Sequence, residues 1–113
     1  MENLVCEKLK EYNIKYNVQK TFNWLMWKNK MRLDIFLPEY NIAIECQGGQ
    51  HFYPVNFYGG HEEYVDIVNR DKRKKELCNM HSINVLYYTN IKLEEYPYDV
   101  ITNLDELIQK IKG

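Results

Sequence analysis

The chain has 113 residues, of which 45% are hydrophobic and 27% are charged, and this composition excludes a disordered chain and indicates one globular domain with its own core. Fifteen Lys and Arg residues against 16 Asp and Glu residues give a formal net charge of −1. Bulk charge alone therefore does not hold this protein on nucleic acid or on a membrane surface, and a role on DNA or RNA requires a local site.

Hydrophobic periodicity predicts seven elements in the order α-β-β-β-α-β-α. They are a helix at 2–12, strands at 15–22, 31–37 and 41–47, a helix at 61–80, a strand at 83–88 and a helix at 103–112. A loop at 48–60 contains four of the five glycines. The predicted fold class is α/β, with a mixed central sheet flanked by helices.

The turn PEYN, residues 38–41, joins two of the predicted strands. If Pro38 faces Asn41, antiparallel pairing places Asp34 opposite Glu45. Directly opposed residues have Cβ atoms about 5 Å apart, and like charges at that distance destabilise a sheet. A divalent cation or a shared proton would compensate for the repulsion, and Mg²⁺ prefers carboxylate oxygens.

Two interpretations of this acid pair are open. The first is a metal site, and the second is two solvent-facing acids on an amphipathic hairpin. Phe36 and Ala43 share the face with the acids, which indicates partial burial. Gln50 and His51 follow closely in the next loop and add polar groups, so the metal site is favoured.

These residues also carry a family resemblance. Asp34, ten intervening residues and then Glu45-Cys46-Gln47 resemble the PD-(D/E)XK nuclease superfamily, in the variant where Gln replaces the motif lysine. The α-β-β-β-α-β order is similar to the restriction-endonuclease-like core of that superfamily. The strings LDIFLPEYNIAIECQGGQHFYP, FYGG and RDKRKKELC resemble a group of small phage- and bacteria-encoded proteins, distantly similar to very-short-patch-repair endonucleases. The resemblance covers residues 7–88.

The resemblance implies a DNA endonuclease that depends on Mg²⁺ or Mn²⁺. Asp34 and Glu45 would hold the metal, with the Cys46 carbonyl as a backbone ligand. Glu7 would be an assisting acid on the first helix, and a solvent-facing position is an equal alternative for it. Gln47 takes the place of the lysine that orients the attacking water. Because glutamine is neutral, it orients water by hydrogen bonds but does not neutralise charge.

The long predicted helix places charged residues on its buried side, which is costly unless they are paired. Lys74 is one of them, and it can supply the positive charge that Gln47 lacks or extend its stem to water. Both interpretations are open. For Asp71 we predict a structural salt bridge with Arg70 or Arg32.

Further candidates surround this centre. His51 can bind the scissile phosphate or donate a proton to the leaving oxygen, and it can also be an ordinary loop residue. Gln50 either contacts nucleic acid or orders the loop. The run 70–75 contains five cations. From it, Arg70, Lys72 and Arg73 are candidate phosphate contacts, and the alternative is a solvated helix face.

The segment 24–27, Trp-Leu-Met-Trp, is expected to pack on the core or on a partner subunit, and stacking on bases is the alternative. DNA and a second copy of the chain, with one site per strand, are the expected partners. Two other functions stay open. One is a non-catalytic nucleic-acid-binding module, since Gln replaces the lysine, and the other is a protein-interaction subunit or phage inhibitor.

The three cysteines have wide spacings and include no CxxC pair, which supports neither a zinc ribbon nor a disulfide framework. Reduced thiols are expected. The start of the chain lacks the long apolar stretch of a signal peptide, and no apolar run is long enough for a membrane span. We therefore expect a cytoplasmic protein of a bacterium or a phage-infected host, without a membrane partner.

Overall fold

The computed structural model describes residues 1–52 and 60–113, without the side chains of Gln50 and His61, and within this part it shows three helices and one four-stranded mixed sheet. The elements are α1 (Glu2–Glu11), β1 (Asn17–Lys20), β2 (Met26–Trp27), β3 (Asn29–Lys30), β4 (Leu33–Leu37), β5 (Ile42–Cys46), a short 3₁₀ helix (Gly49–His51), α2 (Gly60–Met80), β6 (Asn84–Tyr88) and α3 (Leu104–Lys112). The predicted mixed α/β class is confirmed. Most of the predicted loop at 48–60 lies outside the described residues.

The sheet has the strand order β1-β4-β5-β6. The first three strands pair antiparallel, and β5 pairs parallel with β6 because α2 forms the crossover between them. The hairpin register joins Ile35 to Ile44 and Leu37 to Ile42, which is the register predicted from the turn. Asn41 closes that turn with a φ of 52°, a left-handed conformation that Asn tolerates better than most residues.

Helices α1 and α3 cover one face of the sheet. Their apolar positions are Val5, Leu9, Leu107, Ile108 and Ile111, and they pack with the inward-facing strand residues Ile35, Leu37, Ile42 and Ile44. These strand residues alternate along β4 and β5 with residues that face the other side of the sheet. This layer therefore provides a rigid support for the opposite face, where the candidate site lies.

Helix α2 and the segment before β4 cover the other face. Leu77 and Cys78 of α2 pack with Phe36, Ala43 and Val85 of the sheet. Leu33 belongs to this layer as well, although its position in the strand predicted the first face. Leu33 is the first residue of β4 and lies outside the β4–β5 pairs, which begin at Ile35 and Ile44.

The segment 24–27 packs on this second core layer, which confirms core packing for it. Trp24 stacks on His81 with ring centroids 3.8 Å apart, and on Phe22 at 4.7 Å. Strands β2 and β3 form a small two-stranded ribbon that the periodicity did not predict. The observed order thus has a ribbon between β1 and β4 and a third helix after β6, so the restriction-endonuclease-like assignment stays a prediction. No helix in the described ranges is both long and apolar enough to cross a membrane.

Candidate metal site at the open end of the sheet

The hairpin opens at the point where Asp34 and Glu45 meet. The β4–β5 ladder ends with the pair Ile35 and Ile44, and the next pair along is Asp34 and Glu45. The backbone N–H of Asp34 donates to Glu45 Oε2 at 2.7 Å, and the backbone N–H of Cys46 donates to Asp34 Oδ2 at 2.9 Å. Each carboxylate therefore accepts a backbone hydrogen bond from the opposite strand. The predicted approach of the two acids is confirmed.

Lys74 of α2 reaches this pair. Its Nζ lies 2.5 Å from Glu45 Oε1 and also donates to the carbonyl oxygen of Arg32 at 2.7 Å. The Lys74 side chain is 12% exposed and that of Glu45 is 5% exposed. Of the two open interpretations, the structure shows the one in which the Lys74 charge lies at the acid pair.

Burial dominates the protonation of Glu45. It raises the pKa of the Glu45 carboxyl from 4.5 to about 7, and the neighbouring Asp34 charge also raises it, whereas Lys74 lowers it. A group with this pKa exchanges a proton near neutral pH. A cation bound at this carboxylate would displace that proton, so metal binding here would strengthen as pH rises.

Gln47, Asp71 and His51 form a second polar group next to the first. His51 Nδ1 lies 2.6 Å from Asp71 Oδ2, and Gln47 Nε2 donates to the same oxygen at 3.5 Å, a long hydrogen bond. Because an ionised carboxylate only accepts hydrogen bonds, His51 donates from Nδ1. Its Nε2 is then the nitrogen left to exchange a proton with a ligand.

The predicted partner of Asp71 is wrong. Asp71 pairs with His51, not with Arg70 or Arg32. Arg70 is adjacent to Asp71 in α2, and neighbouring helix residues point about 100° apart. Arg70 therefore lies on the exposed side of the helix. Arg32 contributes its backbone carbonyl to Lys74.

The end of β6 fixes Gln47, which is 2% exposed. The Gln47 backbone N–H donates to the Tyr88 carbonyl at 2.8 Å, and its carbonyl accepts from Thr89 Oγ1 at 2.7 Å. Thr89 is a site residue that the sequence reasoning missed, and for Asp71 it predicted only a structural salt bridge. The signal for Thr89 was weak but present: a hydroxyl residue directly after a buried strand, at the edge where parallel strands end together.

Cys46 contributes through its backbone. Its thiol is partly buried, and burial followed by the charges of Asp34, Glu2 and Glu45 raises the thiol pKa to about 12. The thiol is therefore protonated at neutral pH in the absence of a metal. A metal contact through the Cys46 carbonyl stays a prediction.

The structure does not bring Glu7 to the acid pair. Glu7 is exposed on α1 and lies about 140° around the helix from Glu2. Glu2 is the α1 acid whose charge acts on Cys46, and it accepts a hydrogen bond from Gln19 at 3.5 Å. Helical periodicity alone did not show which of these two acids acts on Cys46.

The other nucleic-acid candidates lie on the surface of α2. Arg70, Lys72 and Arg73 are exposed, and Arg73 pairs with Glu76 at 3.1 Å. This arrangement suits both a phosphate-binding stripe and a solvated helix face. The Gln50 side chain lies outside the described residues.

The donor set fits a hard cation. Within residues 1–52 and 60–113, no cluster of three or more His, Cys, Asp or Glu groups has metal-binding geometry. Two carboxylates are nevertheless what Mg²⁺ commonly takes from a protein, with water and phosphate oxygens completing its shell. A tetrahedral zinc site, which uses His and Cys donors, does not fit this pair.

Comparison with known proteins leaves the family of this chain open. None of the protein-family models matches it, and a search of the curated proteins found no relative. The chemistry must therefore be argued from the site itself.

Without divalent cations, we expect the free energy of unfolding to fall as pH rises from about 4.5 to 8, through Glu45. The folded state holds the Glu45 proton more tightly than the unfolded state does, so the folded state alone is protonated in the interval between the two pKa values. The change should be on the order of 3 kcal/mol.

Urea unfolding of wild type and Glu45→Gln across this pH range measures the change in the free energy of unfolding. Glu45→Gln should gain stability relative to wild type as pH rises, and Glu39→Gln, at an exposed turn position, is the control. A difference between wild type and Glu45→Gln that stays constant with pH would contradict the prediction.

Proposed function

We propose that the protein is a divalent-metal-dependent DNA endonuclease that hydrolyses a phosphodiester bond with metal-activated water. One observation supports this most strongly: two carboxylates from opposed strands meet where the sheet opens, and a nearly buried lysine lies 2.5 Å from one of them. Like charges at a buried position are costly unless they are paired with other groups or bind a metal ion.

Asp34, Glu45 and the Cys46 carbonyl are the proposed ligands of Mg²⁺ or Mn²⁺. When bound, such an ion lowers the pKa of its water and polarises the phosphate. Glu2 is the proposed assisting acid of α1, acting through water, because its charge acts on Cys46, the last residue of β5. This replaces Glu7 as the proposed acid of α1.

Lys74 compensates for the positive charge that the neutral Gln47 lacks. In the resembling nucleases a lysine after the second acid steadies the charge that develops on the phosphate, and Gln47 cannot do so. Lys74 supplies a fixed positive charge from α2 instead, held by Glu45 and the Arg32 carbonyl. Gln47 is left with the task of orienting water by hydrogen bonds.

His51 is the proposed general acid. Asp71 binds its Nδ1 and so fixes the ring and its tautomer, which directs proton transfer to Nε2. Asp71 acts through His51 and Gln47 and is a positioning residue.

The architecture supports the same proposal. An antiparallel hairpin, a helical crossover and a parallel fourth strand are similar to the restriction-endonuclease-like αβββαβ core, with the ribbon β2–β3 inserted and α3 added. A homodimer with one site per strand is the proposed form for cutting duplex DNA.

The neutral Gln47 favours a second candidate, a nucleic-acid-binding module without catalysis. This module would have the same fold and the same basic surface on α2 as the nuclease. The two candidates differ in one experimental result. Binding to DNA without any metal-dependent cleavage would favour the module over the nuclease.

In a plasmid cleavage assay with Mg²⁺ or Mn²⁺, wild type should nick or cut the DNA. Asp34→Asn, Glu45→Gln and Lys74→Met should each lower the rate by about 100-fold, because each removes a metal ligand or the fixed charge. Circular dichroism should first show that each variant is folded.

The matched controls are Glu39→Gln and Lys92→Met, which change exposed residues and should cut at the wild-type rate. The nuclease proposal fails if wild type does not cut, or if it cuts at the same rate as Asp34→Asn and Glu45→Gln.

Moving the positive charge from position 74 to position 47 tests the role of Lys74. Lys74→Gln should lose activity. The double variant Lys74→Gln/Gln47→Lys should cut at least about 10-fold faster than Lys74→Gln, because a lysine at position 47 returns a positive charge to the site. Cleavage rates of the two single variants and the double variant measure this. A double variant no faster than Lys74→Gln would show that Lys74 acts other than through its charge.

A further inference from the structure

A cavity of about 380 Å³ lies beside the His51–Asp71 pair, and the proposed function gives it no role. Its lining includes His51, Tyr64, Lys72, Lys75, Tyr87 and Tyr98. In the parallel strand pair Tyr87 is registered with Glu45, so the cavity adjoins the carboxylate site. Its volume lies within the range of small-molecule binding pockets.

Aromatic rings form much of the cavity wall. The rings of Tyr87 and Tyr98 lie 5.0 Å apart at 59°, and Tyr64 and Pro97 add further flat surface. Lys75 Nζ lies 5.7 Å from the centre of the Tyr87 ring, and Lys72 is exposed at the rim. Aromatic faces next to exposed cations are the combination that binds single nucleobases with their phosphates outside.

The Tyr98 hydroxyl is the second observation. It is buried and forms no hydrogen bond of ordinary geometry with any group of the described residues. The Gln47 amide is close enough to act on its pKa, but burial and then the Asp71 charge act more strongly and raise that pKa, so the hydroxyl stays protonated. Buried polar groups without partners are rare in folded proteins, and a bound ligand explains one that lines a cavity.

We propose that this cavity holds one nucleobase of the nucleic acid, out of its stack, with the Tyr98 hydroxyl bonded to the edge of the base. The proposal rests on the proposed nuclease function and names the part of the substrate next to the cleaved bond. Asp71 makes the interior unsuitable for a phosphate, so the phosphates lie at the rim with Lys72 and Lys75. An unpaired nucleotide enters at lower cost than a paired one, and the protein therefore prefers unpaired over duplex substrate.

The test uses single-stranded oligonucleotides with one 2-aminopurine, titrated in EDTA so that no cleavage occurs. Wild type should change the fluorescence of 2-aminopurine and bind the single strand more tightly than the matching duplex. Tyr98→Phe removes only the hydroxyl and should weaken single-strand binding by about 3- to 10-fold. Tyr12→Phe, at an exposed position after α1, is the matched control and should bind as wild type does.

A second variant, Lys72→Met, changes an exposed residue and should also weaken binding. DNA and RNA oligonucleotides of the same sequence show which sugar the site accepts. Thermal unfolding checks that each variant is folded. The proposal is overturned if 2-aminopurine fluorescence does not change, if Tyr98→Phe binds within twofold of wild type, or if duplex and single strand bind equally.

The two proposals fail separately. A wild type that cuts DNA while Tyr98→Phe binds normally keeps the nuclease and overturns the base pocket. A Tyr98-dependent binding of the base without metal-dependent cleavage supports the base pocket and refutes the nuclease.

Discussion

Two carboxylates held together at the end of a sheet are the constraint on which the rest of the structure depends. Asp34 and Glu45 repel each other, and Glu45 is almost fully buried. Two backbone N–H groups and the Lys74 ammonium compensate for this in the absence of a metal ion. The turn at 38–41 must fix the hairpin register, and α2 must place Lys74, for the arrangement to exist at all.

In the proposed reaction, the work of one motif lysine is divided between two residues. Lys74 brings the charge from α2, and Gln47 brings hydrogen bonds from the end of β5. The two are linked to the rest of the site through Glu45 and Asp71, and Asp71 in turn orients His51. In this proposal helix α2 supplies the charge, positions the general acid and forms one wall of the proposed base cavity.

Sequence reasoning predicted the parts that depend on local periodicity and turn geometry. The hairpin register, the meeting of Asp34 with Glu45 and the inward position of Lys74 all follow from these. Contacts between distant elements were not predictable in the same way. Asp71 pairs with His51 across 20 residues, and Glu2, not Glu7, is the α1 acid whose charge acts on Cys46 at the end of β5. The ribbon β2–β3 has strands of two residues, too short to show alternation.

The most direct test of this account is Mn²⁺ binding to the folded protein, followed by electron paramagnetic resonance as free Mn²⁺ disappears. We expect one site per chain that tightens between pH 6 and 8, since the cation displaces the Glu45 proton. Asp34→Asn should lose this site, and Glu39→Gln should keep it. Mn²⁺ binding that is equal in wild type and Asp34→Asn, or absent from wild type at millimolar Mn²⁺, would contradict the metal site and with it the proposed reaction.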